Sequence, residues 1–260
     1  MRQRVPVPLA ALAGAGVVFF VVPLAGLLYR MPWDTALSDV VAPETLIALR
    51  LSLEVSLAAT ALGVLFGVPL AWVYARVAFP GRDFVRVLTT IPMVLPPVVG
   101  GVALLLAFGR QGLLGHVLDA AFGIRIPFTT AGAVLAATFV SMPFLVLTLE
   151  GGLRSMDRRY EEAARTLGAG SWQILRGVTL PLVAPSLFAG AVLCWARALG
   201  EFGATITFAG NLPGTTQTLP LAVYIALETR PEVAVVLSLL LLTVSLVVLV
   251  ALRDRYLRFA

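Results

Sequence analysis

The sequence predicts an all-α membrane protein with six transmembrane helices, and three observations predict it. Of 260 residues, 59% are hydrophobic and only 13% are charged, with a mean hydropathy of +0.96. A water-soluble domain lies nearer half apolar and a quarter charged, so the surplus apolar surface needs lipid as its solvent. Six apolar segments, residues 9–29, 46–75, 87–108, 129–150, 184–209 and 232–252, are each long enough to cross a bilayer core, which takes about 20 helical residues. The alternation that marks a membrane barrel is missing, and a lipid-exposed backbone outside a closed barrel must be helical to satisfy its own hydrogen bonds. No linker or internal repeat divides residues 1–260, which read as one membrane domain.

In the first segment Arg2 and Arg4 precede the apolar run Val7 to Leu28. That run exceeds a signal-peptide core and lacks a small-x-small cleavage site, so it reads as an uncleaved span. The second segment is too long for a perpendicular crossing and predicts tilt or a projecting end. In the third, Ile91-Pro92-Met93-Val94-Leu95-Pro96-Pro97, followed by Gly100-Gly101, predicts a break or kink, because proline removes a donor and clashes with the preceding turn. Pro143 predicts the same in the fourth. Broken backbone inside a membrane is tolerated where it is buried in protein or lines a cavity, which a simple anchor does not need. The fifth segment carries Arg197 about 13 residues in, or roughly 20 Å at 1.5 Å per residue, near the midplane. The sixth closes the bundle.

Orientation follows from nineteen arginines and no lysine. Thirteen lie at the N-terminus, in loops 76–86 and 151–183, and in the C-terminal tail; four (Arg30, Arg110, Arg125 and Arg230) lie on the other side. The positive-inside rule predicts cytoplasmic termini and a cytoplasmic 151–183 loop. The arginines also suit contacts with anionic lipid; they form no aromatic-interleaved patch of the kind that binds nucleic acid.

Enzymatic readings find no support. Cys194 and His116 are single, so neither an internal disulfide nor a Cys/His metal cluster can form. Cys194 reads as a small packing residue. Every aspartate falls outside the spans, no HExxH occurs, and His116 lies in an outer loop, which removes intramembrane aspartyl, metallo- and serine proteases. A secondary transporter is a closer rival, though it normally carries more spans. No catalytic, metal or cofactor residue is assigned.

The 151–183 loop is the most informative stretch. Residues from Asp157 to Leu167 predict a short helix with early acids and a stop at Gly168. A second short helix is predicted over Ser171 to Arg176, with Ser171 as its N-cap. Together they make a knob suited to a partner's groove. Here the chain resembles the permeases of binding-protein-dependent ATP-binding-cassette importers. Glu161 precedes the signature, in which Glu162-Ala163-Ala164, Gly168 and Val178-x-Leu180-Pro181 match in order and spacing, with Val178 where isoleucine is usual. The resemblance implies a type I importer permease fold and a cytoplasmic coupling helix at Glu161, Glu162, Ala163, Ala164, Gly168, Leu180 and Pro181. It further implies a permease homodimer, two cytoplasmic ATPase subunits and an extracytoplasmic binding protein. No GxxxxGK[ST] loop is present, so ATP and Mg²⁺ would be used by the partner ATPase.

The fifth segment supplies a second constellation. Charges at membrane depth mark a substrate route or a buried pair, and Glu201 stands four residues after Arg197 on the same helical face. Both readings stay open; Thr205 and Thr207 could add hydroxyls to a route. Arg50 and Glu54 repeat the spacing in the second segment. Residues 196–205, 210–214 and 216–220, with Phe108-Gly109-Arg110-Gln111-Gly112, resemble the molybdate branch of the permease family, with sulfate and thiosulfate permeases as relatives. The resemblance implies molybdate, with tungstate, as the ion carried. Loops 30–45, 109–128 and 210–231 are the expected docking surfaces for the binding protein.

Overall fold

The computed structural model describes residues 6–258; Arg2 and Arg4, and the side chains of Arg253, Arg255 and Arg258, lie outside the described residues. Among the described residues there are only helices, turns and bends, and five helices are long and apolar enough to span a membrane. Helix α1 (Val7–Tyr29) buries no residue and packs against the last helix. After α2 (Trp33–Val40) comes α3 (Pro43–Arg76), whose 34 residues rise about 50 Å, well beyond a 30 Å core.

The third predicted span is divided. α4 (Arg82–Val94) and α5 (Pro97–Phe108) are separated by Leu95 and Pro96, with Leu95 extended at φ −62°, ψ 134°. Consecutive prolines at 96 and 97 remove two donors, and the residue before a proline is driven from helical geometry. After α6 (Gly115–Phe122), α7 (Thr130–Ser155) begins with Thr129 Oγ1 accepting from Gly132 N at 3.0 Å. Of the break or kink expected at Pro143, the break does not occur: α7 runs continuously through it.

Helices α8 (Arg159–Thr166) and α9 (Ser171–Ile174), a π turn (Leu175–Thr179) and α10 (Leu180–Leu199) follow. α9, the π turn and α10 run as one helix, Ser171–Leu199. The fifth span therefore starts and stops earlier than residues 184–209. Gly200 caps it, and the chain restarts as α11 (Gly203–Phe208). Loop 210–231 contains α12 (Leu219–Thr229), which leads into α13 (Pro231–Arg258). Loops 30–45 and 109–128 likewise hold α2 and α6.

The core is built from α3, α7 and α10. Apolar burial gives no drive between helices in lipid, so close packing through small residues holds them. A Cβ on Gly63 would stand 3.0 Å from Cys194 Sγ, and one on Gly190 would stand 3.2 Å from the Leu145 backbone. Cys194 is fully buried, 3.4 Å from Ser141 Oγ, and serves packing as expected. Tyr74, Leu145, Leu149, Leu153 and Val183 fill the adjoining layer.

Loops 76–86 and 151–183 meet at one end of this bundle. Arg158 Nη2 donates to Ala75 O at 3.2 Å there. At the other end, Thr130 Oγ1 donates to Thr215 O at 2.9 Å and Leu219 N donates to Ser52 Oγ at 2.6 Å.

Candidate functional site

The elbow between α7 and α10 is built largely as its sequence specifies. Asp157 Oδ1 accepts from Arg159 N at 2.9 Å at the start of α8, and Glu161 and Glu162 occupy its first turn, where the helix dipole favours acids. Its end is a Schellman motif. Gly168 takes φ +88°, its N–H donates to Arg165 O, and Ala169 N donates to Ala164 O, both at 3.0 Å. The N-cap of the next helix is Gly170, one residue before Ser171, which is already helical; Gln173 Oε1 accepts from Gly170 N at 2.8 Å. The expected Ser171 cap is thereby corrected: the helix begins one residue earlier, with Gln173 reaching back to the N–H of the capping Gly170.

The elbow has two faces of opposite character. Glu162, Ala163, Leu167 (89% exposed) and Trp172 (66%) point outward, with the Arg176 guanidinium 5.8 Å from the Trp172 ring centroid. This is an apolar knob with a charged rim. Glu161 points inward and is 8% exposed. Arg76 Nε lies 3.0 Å from its Oε2 and 3.3 Å from its Oε1, and Thr179 Oγ1 donates to Oε1 at 2.7 Å. Ala164 and Leu180 are half-buried, and Pro181 is exposed. Pro181 cannot donate to the carbonyl four residues back, and just before it the backbone widens into the π turn, with Leu180 N bonded to Leu175 O.

Beside the elbow stands a cluster that sequence reasoning missed. Glu150, 1% exposed near the end of α7, accepts from Arg86 Nε of α4 and from Arg154 Nε, each at 2.9 Å. Its signal was a lone acid ending an apolar run, with an arginine four residues on. Arg76 and Thr179 were missed as well, because their partner lies 85 and 18 residues away in sequence.

The second constellation sits where α10 breaks. Arg197 is not mid-helix; it occupies the last turn of α10, where a cation suits the carbonyl end of the dipole. Arg197 Nη1 lies 2.7 Å from Glu201 Oε2, an ion pair across one helical turn. Glu201 Oε1 accepts from Ala204 N at 2.7 Å and so caps α11. Thr205 is buried, and the Thr207 hydroxyl is spent on Gly203 O at 2.8 Å. This break abuts the other one: a Cβ on Gly203 would stand 2.8 Å from Pro97 Cβ, and one on Gly101 2.6 Å from Thr207 Cβ. Arg50 and Glu54 form an exposed pair at 2.6 Å, apart from both constellations. Among the described residues no group of three His, Cys, Asp or Glu side chains could hold a metal.

This helical chain has known relatives. The pattern of the family described as "binding-protein-dependent transport system inner membrane component" matches residues 63–259. The chain belongs to that family. As an inner membrane component it is 48% identical over 241 residues to the molybdenum transport system permease protein ModB of Mycobacterium tuberculosis, covering 93% of this chain and 91% of that one. It is 46% identical to the Escherichia coli protein of the same name over 70% of this chain and 80% of the other. The E. coli sulfate transport system permease protein CysT is 34% identical, covering 93% and 88%. A bacterial ABC transporter that imports alginate shares the fold with a TM-score of 0.72 at 18% identity, covering 97% of this chain and 96% of the other.

Proposed function

We propose that this inner membrane component is the permease of an ATP-driven molybdate importer, with tungstate as a second cargo. The observation that carries the reading is 48% identity over nearly the whole chain to molybdenum permeases, against 34% to a sulfate permease. Two copies would enclose the route, and two ATPase subunits would receive the outward faces of the two elbows. The binding protein would dock at the end carrying α2, α6 and α12. ATP and Mg²⁺ would act on the ATPase subunits, with no cofactor held by this chain. Arginine distribution supports cytoplasmic termini in the bacterial plasma membrane. Along the route we assign Arg197, at the α10–α11 break, to the oxyanion, with Glu201 as its counter-ion; Thr205 is buried and the Thr207 hydroxyl is engaged with Gly203 O, so both shape the break rather than bind the ion. The guanidinium supplies charge where an anion must pass, and Glu201 neutralises it when no anion is present.

The test is uptake into proteoliposomes holding the full transporter with its ATPase and a molybdate-loaded or sulfate-loaded binding protein. Molybdate accumulation that excess tungstate suppresses and excess sulfate leaves intact is the expected result. Sulfate accumulation at equal or greater rate would assign the chain to the sulfate branch instead.

A further inference from the structure

We infer that Glu161, Arg76 and Thr179 form the latch through which movement of the elbow reaches the spans, making Glu161 and Thr179 positioning residues for transport. The inference rests on the coupling role proposed for the elbow. Three features of the structure carry it.

Glu161 is the only residue of α8 that is buried. The helix is therefore not held down by an apolar face, as an amphipathic surface helix normally is. It is held by a carboxylate. A cleft of about 270 Å³ lies against it, lined by Trp72, Arg158, Arg165, Ser171, Leu175 and others, so α8 has room to move on its tether.

The tether reaches two different spans. Arg76 is the last residue of α3, and Thr179 ends the π turn that feeds α10. One carboxylate thus joins the elbow, the end of the longest helix and the start of the helix that ends at Arg197. The only other side-chain hydrogen bond from this segment to α3 is Arg158 to the Ala75 carbonyl.

The π turn presents Thr179 to Glu161. Its extra residue, widened ahead of Pro181 and beside Gly177, rotates the backbone relative to an α-helical register. That rotation turns the Thr179 side chain to the 1%-exposed interior. The Leu180-Pro181 pair at the end of the loop signature thereby acquires a physical role: it shapes the receptor for Glu161.

The experiment uses the complete transporter in proteoliposomes, reading molybdate ions imported per ATP hydrolysed, co-purification of the ATPase, and thermal midpoint. Thr179→Val keeps the shape and removes the donor. It is expected to retain the ATPase while lowering ions per ATP about tenfold, the loss of one hydrogen bond to a charged group. Thr179→Ser restores the ratio, and Glu161→Gln, with the ATPase retained, lowers it. An unchanged ratio in Thr179→Val, or equal losses in the Val and Ser variants, overturns the latch. Glu162→Arg separates this from the underlying reading. Loss of ATPase capture there, with Thr179→Val at wild-type ratio, sinks the latch alone. Full capture and uptake in Glu162→Arg sinks the elbow's role and the latch with it.

Discussion

Glu150 and Asp119 each collect two arginines, at opposite ends of the bundle, and the difference in their surroundings sets what each pairing is worth. Glu150 is 1% exposed, while its partners Arg86 and Arg154 are 38% and 44% exposed, so removing the carboxylate strands two cations that can still reach solvent. Breaking a fully buried pair costs about 3–5 kcal/mol. With half-exposed partners Glu150→Ala should cost about 2 kcal/mol, read as a lowered thermal midpoint in detergent, with α4 detaching first from α7. Asp119 accepts from Arg125 Nε at 2.9 Å and from Arg110 Nε at 3.0 Å. The bond from Arg125, opposed by desolvation and aided by the charges of Arg125 and Arg110, holds its carboxyl below the ordinary range. A depressed folded value means the stabilisation is fully present above the unfolded carboxylate value of about 4 and is lost as pH falls through the folded one. Amides of residues 115–123 should therefore exchange at similar rates at pH 7 and pH 5 once corrected for intrinsic chemistry, and lose protection toward pH 3. Asp119→Asn should show reduced protection throughout and no such step.

Among the elements, the paired interruptions matter most. α5 and α11 each restart a broken span, and they meet through glycines so closely that side chains are excluded. Gly203→Ala places a methyl 2.8 Å from Pro97 Cβ, and overpacking of this kind costs about 1–3 kcal/mol. The expected result is a transporter that inserts and assembles but turns over slowly, measured as uptake per assembled complex; wild-type turnover would mean the contact is loose. Hydropathy made the five long spanning helices legible, and proline placement the first interruption, because length, apolarity and missing donors act locally. The second interruption was not legible. Gly200 and Gly203 read as small residues for close helix contact, and the α10–α11 break rests on Glu201 accepting from Ala204 N, a local cap masked by placing Arg197 and Glu201 on one face of a continuous helix. At Pro143 no break follows: a proline permits one, but α7 is packed on both α3 and α10 and stays continuous. The elbow's outline was readable from Gly168 and the early acids. Its inward Glu161 was not, since adjacent glutamates differ only in which way the helix turns them.

On the scale of the whole molecule, the elbow must be stiff enough to move as a unit. Gly168 at φ +88° is where that stiffness is most exposed to substitution, because proline is locked near −65° and would also delete the donor to Arg165 O. Gly168→Pro should leave membrane insertion intact while ATP hydrolysis continues without molybdate accumulation; coupled uptake at wild-type level would count against this geometry. The rest of the bundle is packed on several neighbours of its own chain, whereas α1 buries no residue and meets the last helix only lightly. Its tilt is the one least fixed by that packing. Thicker or thinner lipid should therefore swing this one helix, like a mast stepped on a deck, while the packed bundle behind it keeps its angles.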